Sequence, residues 1–218
     1  MTIKDAITLV ETFKGDRLGA TIVEMEKRLA QAGPETVAEH NRRSEVTPAL
    51  LSAALEVKRA SAQIDVVLHA VGILYALPHI LNPDEVVESL SLGANNAGSN
   101  FDLVTNQRIA EFKFIHWQPK GNAVRNKTLF GDFFKLARVD TFKTKYLYLL
   151  DTYRPLRFLR GQHALQKALD RNQSLANDFA ARYGDTYRTV GEFYTAHKDS
   201  IRLVSLLDIA PAFAGFIE

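Results

Sequence analysis

The chain has 218 residues, 46% hydrophobic and 24% charged, with a formal net charge of +2; this balance belongs to ordinary globular proteins and not to disordered or fibrous chains. It has no cysteine, which excludes disulfides, thiolate metal sites and cysteine nucleophiles and fits a reducing, cytoplasmic setting. The net charge hides an asymmetry, because residues 108–160 hold 12 Lys/Arg against 4 Asp/Glu, or +8, leaving −6 for the rest. Such a local excess suits an anionic polymer, whose affinity comes largely from counterion release at phosphates.

In chain order, residues 1–58 read as helices with breaks. Gly15 and Gly19 end one segment, Gly33-Pro34 stops the next, and Thr47-Pro48 opens another with threonine as N-cap and proline at the first helical position. No chemistry-bearing motif lies there; packing, homodimerisation and substrate contact are the roles open to it. Met1 to Asp5 lack a basic segment followed by an apolar run, so no signal peptide is expected. A helical pattern then covers 50–77, with Ile64, Val67, Leu68, Val71, Leu74 and Leu77 spaced as a core-facing stripe. Pro78 should end it. The apolar run 66–81 is interrupted by His69 and Pro78-His79 and falls short of the ~20 residues of a membrane span, so a buried core helix is expected and no membrane partner.

Asn82-Pro83-Asp84-Glu85 has the form of a new helix start, with Asn82 as cap and Glu85 reaching back as in a capping box. A short strand is expected at 90–92. The connector 93–100 is rich in glycine and asparagine, which permit positive φ and close backbone approach to a ligand; it is either a plain turn or a phosphate-contacting loop.

The next stretch, from Phe101 to Trp117, reads as an antiparallel hairpin, two aromatic and β-branched runs around Asn106-Gln107. A two-residue loop pairs Leu103 with Ala110 and sets Asp102 opposite Glu111, with Cβ atoms roughly 5 Å apart. Alternation puts Lys113 on the face of Glu111, while Ala110, Phe112 and Phe114 turn to the other side and into a core. Opposed carboxylates destabilise a ladder, so something should offset their repulsion. A hard divalent cation does this, being held by one or two carboxylates plus waters or phosphate oxygens, and the nearby lysine supplies a charge for phosphate. That is equipment for metal-assisted phosphodiester hydrolysis.

Downstream, 122–139 reads as an amphipathic helix buried through Leu129, Phe130, Phe133, Leu136 and Ala137, with Arg125, Thr128, Asp132 and Lys135 beside that stripe and Asp132–Lys135 as an i,i+3 pair. A central strand follows at 145–151, helical spacing with several arginines at 153–172, helices at 174–182 and 189–197, and a last strand at 201–209. The fold class is therefore α/β, a small mixed sheet flanked by helices with an N-terminal helical extension, divided as 1–58 and 59–218. The histidines are scattered, and neither a His-Glu-x-x-His helix nor a G-x-S-x-G or G-x-G-x-x-G motif is present.

Asp102, Glu111 and Lys113, in the pattern D-x8-E-x-K across a hairpin, resemble the signature of the PD-(D/E)XK, or restriction-endonuclease-like, nuclease superfamily. The order helix, strand, hairpin, helix, strand from about residue 60 to 152 matches that family's core; Phe101 stands where the family name has proline. The resemblance implies that Asp102 and Glu111, with the carbonyl of Phe112, hold Mg²⁺ or Mn²⁺, that Glu88 upstream is a further ligand candidate, and that Lys113 orients the attacking water. It also implies that Arg125, Lys127 and Lys135 on the following helix contact nucleic acid, probed first as DNA, and that products carry a 5′-phosphate and a 3′-hydroxyl. Two alternatives stand beside this reading: a nuclease-fold module that binds nucleic acid or a protein without cutting, and a structural cluster in which Lys113 neutralises Glu111.

Overall fold

A computed structural model describes residues 1–62, 64–93 and 100–216. The chain forms two compact units, Met1–Val67 and Leu68–Glu218.

The first unit is helical: α1 (Ile3–Lys14), α2 (Leu18–Leu29), α3 (Pro34–Arg43) and α4 (Pro48–Ser61). Thr2 and Asp5 form a reciprocal capping box at the start of α1, and Thr47 caps α4 by accepting from the Leu50 N–H at 3.2 Å. Gly19 lies inside the first turn of α2 and ends nothing. Ala6 of α1 and Ala53 of α4 are fully buried, small side chains that let these two helices pack closely.

α5 (Ile64–Ile80) carries the division between the units. It departs from expectation twice. Pro78 sits within its last turn, where the missing N–H removes a single bond, and Leu81 N–H still closes onto Leu77 O at 3.0 Å. Most of the expected core stripe is exposed, from Leu68 at 39% to Val71 at 57%; of its members only Leu77 packs on the core, and the buried positions are Gly72, Ile73 and Ala76. Small residues at that face let α5 approach the sheet: a Cβ at Gly72 would come within 2.6 Å of the Phe114 ring. By length and composition alone the apolar run through α4 and α5 could cross a membrane, and 18% of its most apolar window is buried, which corrects the expectation of a buried core helix.

The second unit holds a five-stranded mixed sheet in sequential order: β1 (Val87–Leu90), β2 (Leu103–Thr105), β3 (Arg108–Lys113), β4 (Thr144–Leu149) and β5 (Ile201–Ser205). The β1/β2 and β2/β3 pairs are antiparallel; β3/β4 and β4/β5 are parallel. The first parallel crossover runs through α6 (Ala123–Arg138), the second through α7 (Tyr153–Leu159), α8 (Leu165–Leu169), α9 (Gln173–Tyr183) and α10 (Val190–His197). One face of the sheet, through Ile109, Leu147, Leu149 and Ile201, packs on Phe130, Phe133 and Phe134 of α6 and Phe193 of α10. The other, through Leu103, Ala110, Phe112 and Tyr148, packs on Ile73 and Ala76 of α5 and on Phe213.

The helix expected from Asn82 does not form. Glu85 does reach back to the Asn82 N–H at 3.1 Å, yet the chain goes into strand pairing: Val86 N–H binds Asn106 Oδ1 at 2.9 Å and Asn106 N–H binds Val86 O at 3.1 Å. The strand that follows is accordingly 87–90 and not 90–92, the last strand stops at Ser205, and the 153–172 segment breaks at Gly161 into two helices. Six residues of the glycine-rich connector, 94–99, lie outside the described residues.

Candidate active site

The hairpin has the register read from its sequence, Leu103 opposite Ala110 and Val104 opposite Ile109. Thr105 shapes the turn, its hydroxyl accepting from the N–H groups of Gln107 at 3.0 Å and Arg108 at 2.8 Å. Asp102 immediately precedes β2. Its Oδ2 accepts the Phe112 N–H at 2.8 Å and its Oδ1 lies 3.3 Å from His69 Nε2 on α5.

Glu111 and Lys113 leave β3 on the side covered by α6, and α6 answers them with Asp132 and Lys135. Lys113 Nζ is 2.6 Å from Asp132 Oδ2; Lys135 Nζ is 3.2 Å from Asp132 Oδ1 and 3.8 Å from Glu111 Oε1. Two carboxyls, Glu111 and Asp132, thus share two ammonium groups in a buried place, and the charge of Asp102 acts on Glu111 and Lys113 without a direct ion pair. Burial, followed by the charges of Asp132 and Asp102, pushes the Glu111 carboxyl up to about 9, with Lys135 and Lys113 opposing. Around neutrality Glu111 therefore carries a proton, which makes the cluster electrically neutral. Burial also disfavours the charged form of Asp102, but the His69 and Phe112 hydrogen bonds and the Lys113 charge outweigh it, so Asp102 lies below the usual carboxylate range. Burial works against both lysine charges and is overcome chiefly by Asp132, leaving each above its ordinary value.

Among the described residues no three of His, Cys, Asp or Glu are disposed to hold a metal ion. Asp102 and Glu111 are the pair that could, in the manner of a cation that keeps waters and substrate oxygens for its other positions. The donor set suits it in charge: Glu111 already holds a proton that a cation would replace.

Glu88 is not brought to this cluster. It lies on β1, about half exposed, and pairs with Lys143 at 2.5 Å. Lys127 pairs with Asp170 at 2.6 Å, Lys135 belongs to the acidic cluster, and Arg125 bonds Asn122 Oδ1 at 3.2 Å in the first turn of α6. Two residues of the cluster were missed by sequence reasoning. Asp132 looked like a surface partner of Lys135, although its place between Gly131 and Phe133, inside the apolar stripe, was a usable signal. His69, a lone polar group within the apolar run of α5, was another.

The opposite face of β3 carries a second charged group. Arg108 forks onto the carboxylate of Glu85 and donates to the Tyr148 hydroxyl at 2.7 Å, while Thr105 donates to Glu85 Oε1 at 2.6 Å. Burial raises Glu85, but the bonds from Arg108, Thr105 and the Asn82 N–H outweigh it and hold the carboxyl below its ordinary range. Burial pushes the Tyr148 phenol up to about 12 against the pull of Arg108. Comparison of the whole chain with family models, with curated proteins and with solved structures finds no match.

Proposed function

We propose that the chain is a metal-dependent nuclease of the PD-(D/E)XK type, hydrolysing phosphodiester bonds of nucleic acid, DNA foremost. The observation that carries this reading is the buried cluster on a hairpin strand in which Lys113 and Lys135 are drawn to Asp132, Lys135 lies 3.8 Å from Glu111, and Asp102 is fixed on the Phe112 N–H. The element order α5, β1, β2, β3, α6, β4 is consistent with that family's core. A Mg²⁺ or Mn²⁺ ion on Asp102, Glu111 and the Phe112 carbonyl would acidify a water and offset charge on the phosphate. In this reading Asp102 is kept ionised by His69 and the Phe112 N–H, ready for a cation. Lys113, fixed by Asp132, would hold the attacking water and offset charge at the phosphate. The water oxygen bonds to phosphorus as the bond to the 3′-oxygen breaks; the water gives up a proton to solvent and the 3′-oxygen takes one from solvent, leaving a 5′-phosphate and a 3′-hydroxyl.

The test is cleavage of linear, branched and single-stranded DNA and RNA with Mg²⁺, Mn²⁺ or EDTA. Wild type should cut at least one with metal, and Asp102→Asn and Lys113→Ala should each lose about 10²-fold or more. Absence of cleavage with either metal, together with no divalent binding that depends on Asp102, ends the nuclease reading. A second reading, a nuclease-fold module that binds without cutting, draws on one observation: both lysines are already engaged by Asp132. It expects nucleic-acid binding that is indifferent to divalent ions and to Glu111→Gln.

A further inference from the structure

The basic excess of residues 108–160 narrows sharply once partners are assigned. Six of its twelve cations, Arg108, Lys113, Lys127, Lys135, Arg138 and Lys143, pair with carboxylates. Lys145 donates to the carbonyl of Val139 at the end of α6. The remaining five are Lys120, Arg125, Arg154, Arg157 and Arg160, and none has a carboxylate partner among the described residues.

Two of those five, Arg154 and Arg157, line a cleft of about 370 Å³, and the other three are sequence neighbours of residues that line it. Arg154 and Arg157, one turn apart on α7, line it together with Trp117, Asn122, Asn126 and His163, and no acidic residue lines it. Lys120 follows the lining residue Pro119, and Arg125 lies between Asn122 and Asn126. The walls are built before any ligand arrives. Trp117 is buried and its indole N–H binds Asn126 Oδ1 at 3.1 Å, while Arg154 reaches the Gln118 carbonyl at 3.4 Å. The far rim is tied to α10 by Gly191 N–H on Gly161 O at 3.0 Å and Val190 N–H on His163 O at 2.9 Å. Gly191 has no room for a side chain, since a Cβ would meet Gly161 O at 2.9 Å and Arg160 O at 3.0 Å.

We propose that this cleft is a phosphate-binding subsite in which Arg154 and Arg157 hold a phosphoryl group of the bound nucleic-acid strand beside Trp117. Two guanidinium groups without a carboxylate, in a cleft without an acid, are suited to forked hydrogen bonds with phosphate oxygens. Lys113 ends β3 and Trp117 lies four residues beyond, so a strand presented to the acid–lysine cluster continues toward these arginines. The identity of the ligand rests on the nuclease reading; the affinity for phosphate does not.

The experiment uses the full chain in EDTA. Pyrophosphate is titrated by calorimetry and by emission of Trp117, the single tryptophan, and labelled single strands with 5′-phosphate or 5′-hydroxyl ends are titrated by anisotropy at several salt concentrations. Arg154→Gln/Arg157→Gln should weaken both ligands about tenfold or more and lower the salt slope for DNA by roughly one unit. Lys167→Gln/Lys198→Gln, two exposed lysines that do not line the cleft, is the charge-matched control and should leave both the salt slope and pyrophosphate binding unchanged. Loss confined to the 5′-phosphorylated strand assigns a terminal phosphate, and equal loss for both strands assigns an internal one. Wild-type affinity and slope in the arginine variant, with native circular dichroism, overturn the subsite even if the protein cleaves DNA. Arginine-dependent pyrophosphate binding with no cleavage by wild type keeps the subsite and rejects the nuclease.

Discussion

Strand β3 has a buried charged group on each face, and the two obey opposite rules. On the α5 side Glu85 and Arg108 form a forked pair, in which each Glu85 oxygen accepts a further bond, from Thr105 or the Asn82 N–H, and Arg108 also donates to Tyr148. On the α6 side Glu111 and Asp132 share two lysines, and with the charge of Asp102 also acting on it Glu111 is left to hold a proton up to about 9. The same strand therefore shows what a structural ion pair looks like and what a group kept in reserve looks like: in the first, hydrogen bonds outweigh the cost of burying the charges, and in the second the charged form is unfavourable until something positive arrives.

The largest expected effect breaks the satisfied side. Arg108→Ala leaves Glu85 buried without its cation, which should cost about 3–5 kcal/mol in urea unfolding. A loss below about 1 kcal/mol would mean that the pair is not the anchor described.

On the reserve side the sign reverses. A carboxyl raised in the folded protein contributes stability below its unfolded value near 4.5 that is lost as pH climbs through about 9. Glu111→Gln lacks that loss, so its advantage over wild type without metal should grow from pH 5 to pH 9, reaching on the order of 2 kcal/mol, or several degrees in Tm. Glu85, lowered instead, contributes stability that is complete above its unfolded value and disappears only as pH falls into the acid range. Thermal melts from pH 3 to 9 separate the two carboxyls; a Glu111→Gln curve parallel to wild type throughout would remove the contrast. Asp102→Asn should not gain stability, because the structure keeps Asp102 ionised through His69 and the Phe112 N–H. This corrects the simple expectation that removing either opposed carboxylate relieves the ladder.

A third measurement sharpens the same point. If a divalent ion displaces the Glu111 proton, Mn²⁺ binding at pH 7 should release about one proton, and apparent affinity should rise roughly tenfold per pH unit until pH approaches 9. Calorimetry in buffers of different ionisation enthalpy reads this directly; proton-neutral binding would place the ion elsewhere. The smallest effect is expected at Glu88, half exposed and paired with Lys143. Glu88→Gln should shift stability by less than about 0.5 kcal/mol and leave divalent binding unchanged.

Much of this was legible before the fold. Hairpin register follows from a two-residue turn and a period of two, both local, so Leu103 opposite Ala110 and the shared face of Glu111 and Lys113 could be read directly. Thr47-Pro48 announces its helix because capping is a contact between near neighbours in sequence. Elements decided by distant partners were not legible. Asn82 to Glu85 carry helix-start chemistry, yet Glu85 is claimed by Arg108, 23 residues on, and the segment turns into a strand instead. The apolar stripe of α5 has the right spacing for a core, but close approach at Gly72, Ile73 and Ala76 selects a different face.

The sequence by itself determined the α/β class, the β2–β3 register and the shared face of Glu111 and Lys113, since these depend on pleat, turn length and spacing. Only the tertiary structure decided which charges remain unspent. Asp132 enters the site from a helix, His69 from another, and six of twelve cations in the basic segment pair with acids that the sequence places 19 or more residues away, while Lys145 bonds a carbonyl six residues back. Charge counts are additive along a chain, whereas pairing depends on separation in space and on burial, and that is why Arg154 and Arg157 stand out only after the fold is known.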